Sequence, residues 1–234
     1  KMFVIFPFEV DFYKKYDFAV EYVGNPLLDA LAAFRADPAF RQKMGAGKPL
    51  VALLPGSRRQ EVTTILPTML AVSRDFPDYR FVVSTVNNLP TALYNDLLRN
   101  YPDVGRAADA AYDLLSVSTA ALVASGTATL ETALLHIPQV VCYKTGRISY
   151  EIARRVIAVR FISLVNLIMD RAIVPELIQH ECTAGRVAAE LRTILPGGDQ
   201  RLVQLSDYAD LQRRMGEPGA SERAGTRMVE LASL

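Results

Sequence analysis

The sequence predicts an α/β fold built on a parallel sheet with helices on both faces. Apolar runs of the length of buried strands alternate with segments of helical periodicity. Two of these strands lead into turns of small residues, at 55–57 and 125–127, and each turn is followed by a helix. The 234 residues are 50% hydrophobic, which suffices for one large core, or for one domain and the edge of another.

Residues 1–30 are predicted to be the end of a domain whose larger part is missing. MFVIF, at 2–6, suits a buried strand that needs neighbours on both faces, and we expect those neighbours upstream. PFEVDFYKKY suits a short helix, and EYVGNPLLDAL suits a short strand running through Gly24 into another helix. Residues 31–49, rich in charge, Gly and Pro, are predicted to be a linker.

A Rossmann-like domain is predicted over residues 50–200, with C-terminal helices at 201–234. The predicted order is a strand at 50–54, a helix at 58–76, a strand at 80–84, a helix at 90–100, a strand at 120–124, a helix at 128–136 and a strand at 139–143. Beyond residue 149 the pattern is helical to the end, with breaks at Pro175 and at 196–198.

Composition excludes several classes of protein. A net charge of +1 without an aromatic-basic stripe disfavours nucleic-acid binding. Cys142 and Cys182 lack the spacing of a zinc site or of a disulfide framework, so we expect no metal and a reducing compartment. Apolar runs long enough to span a membrane are absent from the sequence, as is a signal-peptide cleavage site, so we expect a soluble or surface-bound protein.

The first small-residue turn is a candidate anion site. Ser57 and Gln60 have the spacing of a capping box, which would start a helix directly behind Gly56. A helix start offers backbone N–H groups and a positive dipole end, and Arg58 adds a forked donor suited to phosphate. The alternative is a capped helix with solvated arginines.

The second turn is a candidate diphosphate and ribose site. Ser125, Gly126 and Thr127 are small and rich in donors, as a backbone that approaches a diphosphate requires. Glu131 lies one turn into the next helix, where it could accept hydrogen bonds from both hydroxyls of a ribose. The alternative is that Glu131 only complements the helix dipole.

Weaker candidates follow in the chain. Asn166 lies in an apolar stretch, where it is either a packed core amide or a ligand contact. Pro175 and Glu176 suit the first positions of a helix, with Gln179 on the same face. The two histidines have no Ser or Cys in triad-like context, so we expect them to be structural.

The order of several strings resembles the lipid-A-disaccharide synthase family over essentially the whole chain. The strings are FPFEVDFYKKY, YVGNPLLDAL, LLPGSRRQEV, ASGTATLETAL, VVCYK, SLVNLI and VPELIQHE. The resemblance implies a GT-B type glycosyltransferase, in which two Rossmann-like domains face each other across a cleft. This chain would hold the C-terminal, donor-binding domain and the tail of a truncated N-terminal domain.

The resemblance also implies the reaction and its setting. The family transfers 2,3-diacylglucosamine from its UDP derivative to 2,3-diacylglucosamine 1-phosphate, which forms the β(1→6) disaccharide of lipid A and releases UDP. The implied partners are these two substrates and the cytoplasmic face of the bacterial inner membrane, with no cofactor and no nucleic acid. The apolar segment 156–169, flanked by Arg154, Arg155, Arg160 and Arg171, would support membrane contact or belong to the core.

Residue roles are carried over from the family in the same way. Ser57 and Arg58 would contact the diphosphate, with Arg58 stabilising the leaving group, and Glu131 would bind the uridine ribose. Asn166 and Glu176 match family positions and are placed in the cleft only loosely. The complete substrate-binding set is Ser57, Arg58, Ser125, Gly126, Thr127, Ala128, Thr129, Glu131, Asn166 and Glu176. The general base would come from the missing domain, so we expect this chain alone to be inactive.

Two alternatives stay open at the level of sequence. A UDP-sugar epimerase of the same architecture also uses a small-residue turn followed by a helix glutamate. A nucleotide-binding module without catalysis would use the same turns only for binding.

Overall fold

The computed structural model describes residues 1–45, 47–145 and 160–233. The chain divides into two compact units, Lys1–Arg35 with Ala209–Leu234, and Ala36–Tyr208. The domain boundaries predicted from the sequence stay a prediction.

Strands and helices alternate through most of the described chain. The strands are β1 (Met2–Val4), β2 (Val20–Tyr22), β3 (Leu50–Leu54), β4 (Arg80–Thr85), β5 (Gly105–Ala108), β6 (Ser118–Ala124), β7 (Gln139–Tyr143) and β8 (Glu176–Ile178). The helices are α1 (Pro7–Lys14), α2 (Pro26–Ala33), α3 (Phe40–Lys43), α4 (Arg59–Val72), α5 (Thr91–Leu98), α6 (Ala111–Ser116), α7 (Thr127–Leu134), α8 (Leu164–Met169), α9 (Ala184–Ile194), α10 (Arg201–Met215) and α11 (Ala220–Ala232). Short 3-10 turns follow α4 and β8.

The smaller unit joins the beginning and the end of the described chain. β1 and β2 pair in parallel. Asp29 of α2 caps α11, because its carboxylate accepts hydrogen bonds from the amides of Gly219, Ala220 (3.2 Å) and Ser221 (2.9 Å). These bonds, the one from Ser221 first, lower the pKa of Asp29 to about 2.

The larger unit contains a parallel sheet of six described strands in the order β5-β4-β3-β6-β7-β8. This is the strand order of a doubly wound, Rossmann-like sheet, in which the direction of winding reverses between the first and the fourth strands in chain order, here β3 and β6. The predicted α/β fold with a parallel sheet is confirmed. Ligands of such sheets bind beyond the carboxyl ends of the strands at this switch point.

Alternate residues of β3 enter two different cores. Val51 and Leu53 pack in a cluster with residues of α4, α5 and α9. Leu50, Ala52 and Leu54 pack in a second cluster with residues of α3 and α6. Because strand side chains alternate between the faces of a sheet, helices cover both faces, as the sequence predicts.

Several predicted elements are corrected by the structure. Pro175 and Glu176 do not begin a helix, because the Pro175 carbonyl accepts a hydrogen bond from Val141 (2.9 Å) and Glu176 starts β8 beside β7. The N-terminal strand ends at Val4 rather than at residue 6, since Pro7 occupies the first turn of α1. The helix predicted at 58–76 is α4, which ends at Val72, and β5 and α6 were not predicted at all.

The apolar segment 156–169 lies only partly within the described chain. Arg154, Arg155 and residues 156–159 are outside the described residues. Within the remainder, Leu164–Met169 forms α8, whose Val165, Ile168 and Met169 are buried in the fold. Among the helices that the structure describes, we find no span of the length and hydropathy that crossing a bilayer requires.

Candidate functional site

The predicted turns meet at one cleft of about 410 Å³, located where β3, β4 and β6 end. Its position is the switch point of the sheet. Of the predicted residues, those that line it are Ser57, Arg58, Ser125, Gly126, Thr127, Ala128 and Glu131. Thr129, Asn166, Glu176 and Gln179 are not among the residues that line it.

The first turn is held by a carboxylate that reaches back to it. Glu61 Oε2 accepts hydrogen bonds from the amides of Ser57 (3.1 Å) and Arg58 (3.2 Å). The predicted capping box of Ser57 and Gln60 is therefore wrong by one residue, because Arg58 is the N-cap and Glu61 closes the turn. Glu61 already occupies those two amides. The hydrogen-bond donors left for an anion at this turn are the first-turn amides of α4 and the Arg58 side chain.

The Arg58 side chain is exposed and pairs only with Glu61 among the described ion pairs. Its guanidinium lies 2.9 Å from Glu61 Oε1, and its side chain is 83% exposed. Ion pairs this exposed contribute at most about 1 kcal/mol. Arg58 can therefore exchange Glu61 for a bound phosphate at little cost.

The second turn leaves backbone donors open to the cleft. Gly126 is the N-cap of α7, and no described side chain caps the helix start. Thr127 and Ala128 line the cleft, and amides of a first helical turn have no acceptor within the helix. Thr129 is buried and its hydroxyl donates to the Gly126 carbonyl (2.7 Å), so it supports the turn rather than lining the cleft.

Glu131 is half-buried, lines the cleft and lies beside Tyr112. The Tyr112 hydroxyl donates a hydrogen bond to Glu131 Oε1 at 3.1 Å. Burial raises the pKa of the Glu131 carboxyl, and the bond from Tyr112 acts in the opposite direction. Burial and the nearby Glu131 charge raise the pKa of Tyr112. Tyr112 thus orients one carboxylate oxygen and leaves Oε2 for a ligand.

Glu176 and Asn166 support the second turn from behind. The Ser125 hydroxyl donates to the Ile162 carbonyl (2.8 Å). The Glu176 carboxylate in turn accepts from the amide of Ile162 (3.0 Å), from the amide (2.9 Å) and hydroxyl (2.6 Å) of Ser163, and from Asn166 Nδ2 (2.8 Å). These bonds connect Asn166 and Glu176 to the cleft through the segment that holds Ser125.

The Asn166 amide is fully engaged inside the protein. Its Oδ1 accepts from the amides of Ile173 (2.8 Å) and Val174 (3.0 Å), and its Nδ2 also donates to the Val174 carbonyl (2.9 Å). Only 1% of its surface is exposed. This geometry favours the packed-amide interpretation of Asn166. Gln179 likewise exchanges hydrogen bonds with the backbone of Thr145.

Sequence reasoning missed three residues around the cleft. Tyr112 belongs to α6, which was not predicted. The sequence pattern indicated Gln60 for the closing position of the capping box, whereas Glu61 occupies it. Asn88 Nδ2 donates to the Ser57 carbonyl (3.2 Å) across a sequence separation that no local pattern indicates. A Glu three residues after the N-cap is the signal that could have identified Glu61.

The described residues contain no group of three or more His, Cys, Asp or Glu side chains arranged to hold a metal ion. Cys142 and Cys182 are both buried free thiols.

Gly56→Ala is expected to lower the free energy of unfolding by about 2 kcal/mol, because φ at Gly56 is +98° and an added Cβ would lie 2.9 Å from Glu61 Cβ. Urea denaturation measures this change. Gly185→Ala is the matched control, since outside its chain neighbours and the backbone of its own helix its added Cβ meets no atom within 4 Å, and Ala is the better helix residue. Equal stability of the Gly56→Ala and wild-type chains would contradict the described turn.

Tyr112→Phe is expected to raise the pKa of Glu131 further, because it removes the hydrogen bond that opposes the effect of burial. A ¹³C NMR titration of the Glu131 carboxyl measures the pKa directly. Tyr79→Phe, a change on the same unit away from the cleft, should leave that titration unchanged. A pKa that falls in Tyr112→Phe would show that the two side chains do not interact as described.

Comparison with known proteins places the chain near one family. Residues 1–228 match the family model described as lipid-A-disaccharide synthetase. The lipid-A-disaccharide synthase of Syntrophus aciditrophicus is 38% identical over 239 residues, which is 99% of this chain and 62% of that protein. The Myxococcus xanthus lipid-A-disaccharide synthase is 36% identical with the same coverage of both. The chain therefore spans less than two thirds of the length of these relatives.

Solved structures share the fold at low sequence identity. An S. aureus MnaA co-structure with UDP has a TM-score of 0.61 at 15% identity, covering 92% of this chain and 54% of that one. A sucrose-phosphate synthase from Thermosynechococcus elongatus has a TM-score of 0.59 at 12% identity, covering 99% of this chain and 58% of that one. At these identities the likeness shows the α/β fold alone.

Proposed function

The chain belongs to the lipid-A-disaccharide synthase family, and from this premise we propose that it is the donor-binding part of a glycosyltransferase that forms the lipid A disaccharide. The whole protein would transfer 2,3-diacylglucosamine from its UDP derivative to 2,3-diacylglucosamine 1-phosphate and release UDP. One observation carries the proposal: the two turns predicted to bind an anion line the same cleft at the switch point of the sheet.

The cleft offers groups suited to the diphosphate and to the ribose of UDP. The amides of Thr127 and Ala128 at the start of α7 are suited to the diphosphate, together with the positive end of the helix dipole. Arg58, which lines the same cleft from the first turn, supplies a charged donor. Glu131 is suited to the ribose, since the Oε2 atom that Tyr112 does not contact can accept from a hydroxyl.

In the proposed reaction, the acceptor hydroxyl oxygen attacks the anomeric carbon as the bond from that carbon to the diphosphate oxygen breaks. The bonding electron pair leaves with UDP, so negative charge grows on the diphosphate. The α7 amides and Arg58 stabilise that charge in the transition state. The acceptor proton goes to a general base that we place in the part of the protein not contained in this chain.

The sequence matches do not support the epimerase alternative. The family match is to the synthases, and the likeness to a Neisseria meningitidis UDP-GlcNAc 2-epimerase, with 15% identity and a TM-score of 0.58, concerns the fold. The remaining alternative is a binding module without catalysis. Such a module would form no disaccharide from the two acylated substrates, whereas the transferase would.

We also propose that the whole protein works at the inner face of the inner membrane, because both substrates carry acyl chains. Exposed apolar and aromatic side chains on the smaller unit support this, namely Phe12 at 47%, Tyr16 at 69% and Phe18 at 48% exposed. Lys14 and Lys15 lie beside them and would favour anionic lipid. Sedimentation with anionic vesicles tests the proposal, which fails if Phe12→Ser with Tyr16→Ser sediments as the unchanged protein does.

Arg58→Ala in the whole protein is expected to lower kcat about tenfold, the effect of losing ~1.4 kcal/mol of transition-state stabilisation by one exposed guanidinium. The assay measures disaccharide and UDP formed from the two acylated substrates. Arg59→Ala is the control, because Arg59 is exposed, carries the same charge and is not among the residues that line the cleft. No disaccharide from the unchanged whole protein would refute the transferase, and equal kcat in both variants would refute the role of Arg58.

A further inference from the structure

A second cleft, of about 640 Å³, lies at the opposite edge of the sheet. It is lined by residues that precede or begin β3, β4 and β5, whereas the candidate donor cleft lies where strands end. We call it the amino-edge cleft and define it by Lys48, Arg74, Arg80, Tyr101 and Asp103. Because parallel strands point the same way, the two clefts are separated by the length of the strands.

Positive charge dominates the amino-edge cleft. Lys48, Arg74 and Arg80 line it, and Asp103 is the acid among its lining residues. A cleft lined mainly by one sign of charge concentrates counter-ions. The charge of this cleft therefore favours an anionic ligand.

Arg80 lacks the partner that a half-buried guanidinium normally has. Its Nε atom is buried with no hydrogen-bond acceptor, and none of the ion pairs found among the described residues includes Arg80. Small residues pack around it, since a Cβ added at Gly45 would lie 3.0 Å from Nε and one added at Gly105 would lie 3.5 Å from Nη2. An unpaired cation in a cleft calls for an external anion.

The other two cations are held by neutral groups. The Arg74 guanidinium lies 4.8 Å from the centre of the Tyr101 ring, and Lys48 Nζ donates to the Pro77 carbonyl at 2.6 Å. A ring and a carbonyl fix these side chains without cancelling their charge. The cations are thus positioned before a ligand arrives, which lowers the entropy lost on binding.

We infer that the amino-edge cleft binds the phosphate group of an organic phosphate monoester. Forked guanidinium donors match phosphate oxygens, and Arg74 and Arg80 provide two of them. The volume exceeds what a bare phosphate needs, and Phe76 and Tyr79 offer apolar surface for the organic part. This site is separate from the proposed donor cleft and does not depend on it.

The test is a ¹H–¹⁵N NMR titration of the chain with glycerol 3-phosphate. We expect saturable shifts at the amides of Tyr101 and Val104, weakened about tenfold by Arg80→Gln or by Arg74→Gln, as for the loss of one charge-assisted hydrogen bond. Asp103→Asn should tighten binding. Arg186→Gln is the charge-matched control, because Arg186 is 58% exposed, pairs with Glu181 and is absent from the cleft lining.

Vesicles of phosphatidylcholine with and without phosphatidic acid, whose head group is a phosphate monoester, distinguish the sources of the phosphate. A response to glycerol 3-phosphate that depends on Arg80 assigns the site to free phosphate esters, and one to phosphatidic acid vesicles alone assigns it to a lipid head group. The inference would be overturned by equal affinity for glycerol 3-phosphate in Arg80→Gln, Arg74→Gln and Arg186→Gln. It would also be overturned if neither glycerol 3-phosphate nor the anionic vesicles caused saturable shifts. UDP-induced shifts at Gly126 and Thr127 report separately on the donor cleft and should be unchanged in these variants.

Discussion

Glu131→Ala is expected to lower the affinity of the chain for UDP about 100-fold, or ~2.7 kcal/mol. The half-buried carboxylate is held by Tyr112 and lines the cleft, so its loss removes charge-assisted hydrogen bonds to the ribose hydroxyls in a poorly solvated place. Isothermal titration calorimetry with UDP measures the change. UDP affinity should also fall as the pH decreases through the raised pKa of Glu131, because the protonated carboxyl is the poorer acceptor.

Measurements of folding stability distinguish a role of Glu131 in binding UDP from a role in holding the fold together. Because the folded-state pKa of Glu131 lies above its unfolded value, the folded chain binds more protons between the two values, and stability decreases as the pH rises through them. Glu131→Gln, which stays neutral, should thus be at least as stable as the unchanged chain at neutral pH.

Glu190→Ala is the control for UDP affinity, since Glu190 lies on α9 and is not among the cleft-lining residues. Unchanged UDP affinity in Glu131→Ala would remove Glu131 from the site.

Asn166→Ala is expected to lower the free energy of unfolding by about 3 kcal/mol, because it leaves buried amides of Ile173 and Val174 and the carbonyl of Val174 without their partner. Urea denaturation measures the loss. The remaining folded chain should bind UDP with moderately reduced affinity, since Glu176 loses one of the donors that fix the segment behind Ser125.

Asn95→Ala serves as the control for that experiment. The Asn95 side chain accepts a hydrogen bond from Arg106 at an exposed position, so its loss should cost no more than about 0.5 kcal/mol. If Asn166→Ala retained full stability and lost UDP binding, Asn166 would be a ligand contact and not a packed amide.

The parts of the fold that sequence predicts are those with strong local signals. β3 is a continuous apolar run and β6 ends in one at 120–124, and each is followed by Gly and small residues, so both their burial and the positions of their turns follow from local pattern. Their meeting at one cleft follows from the parallel arrangement. The capping error at Gln60 arose because Ser57 is a good cap by type, whereas the backbone after Gly56 brings Glu61 within reach of the turn.

The missed elements depend on partners distant in sequence. β8 is only Glu176–Ile178, and its conformation comes from pairing with β7 rather than from its own residues. β5 (Gly105–Ala108) is also short and is rich in Gly and Ala, which disfavour strands when taken alone. Tyr112 follows β5, so its contact with Glu131 could not be predicted before β5 was placed.

The most direct test of the account is a calorimetric titration of the chain with UDP, with ADP in parallel, while NMR shifts report where the nucleotide binds. We predict saturable binding of UDP in preference to ADP, with the largest shifts at Gly126, Thr127 and Glu131. A folded chain that binds neither nucleotide, or that binds both equally, would contradict the proposal that this cleft holds the UDP-sugar donor.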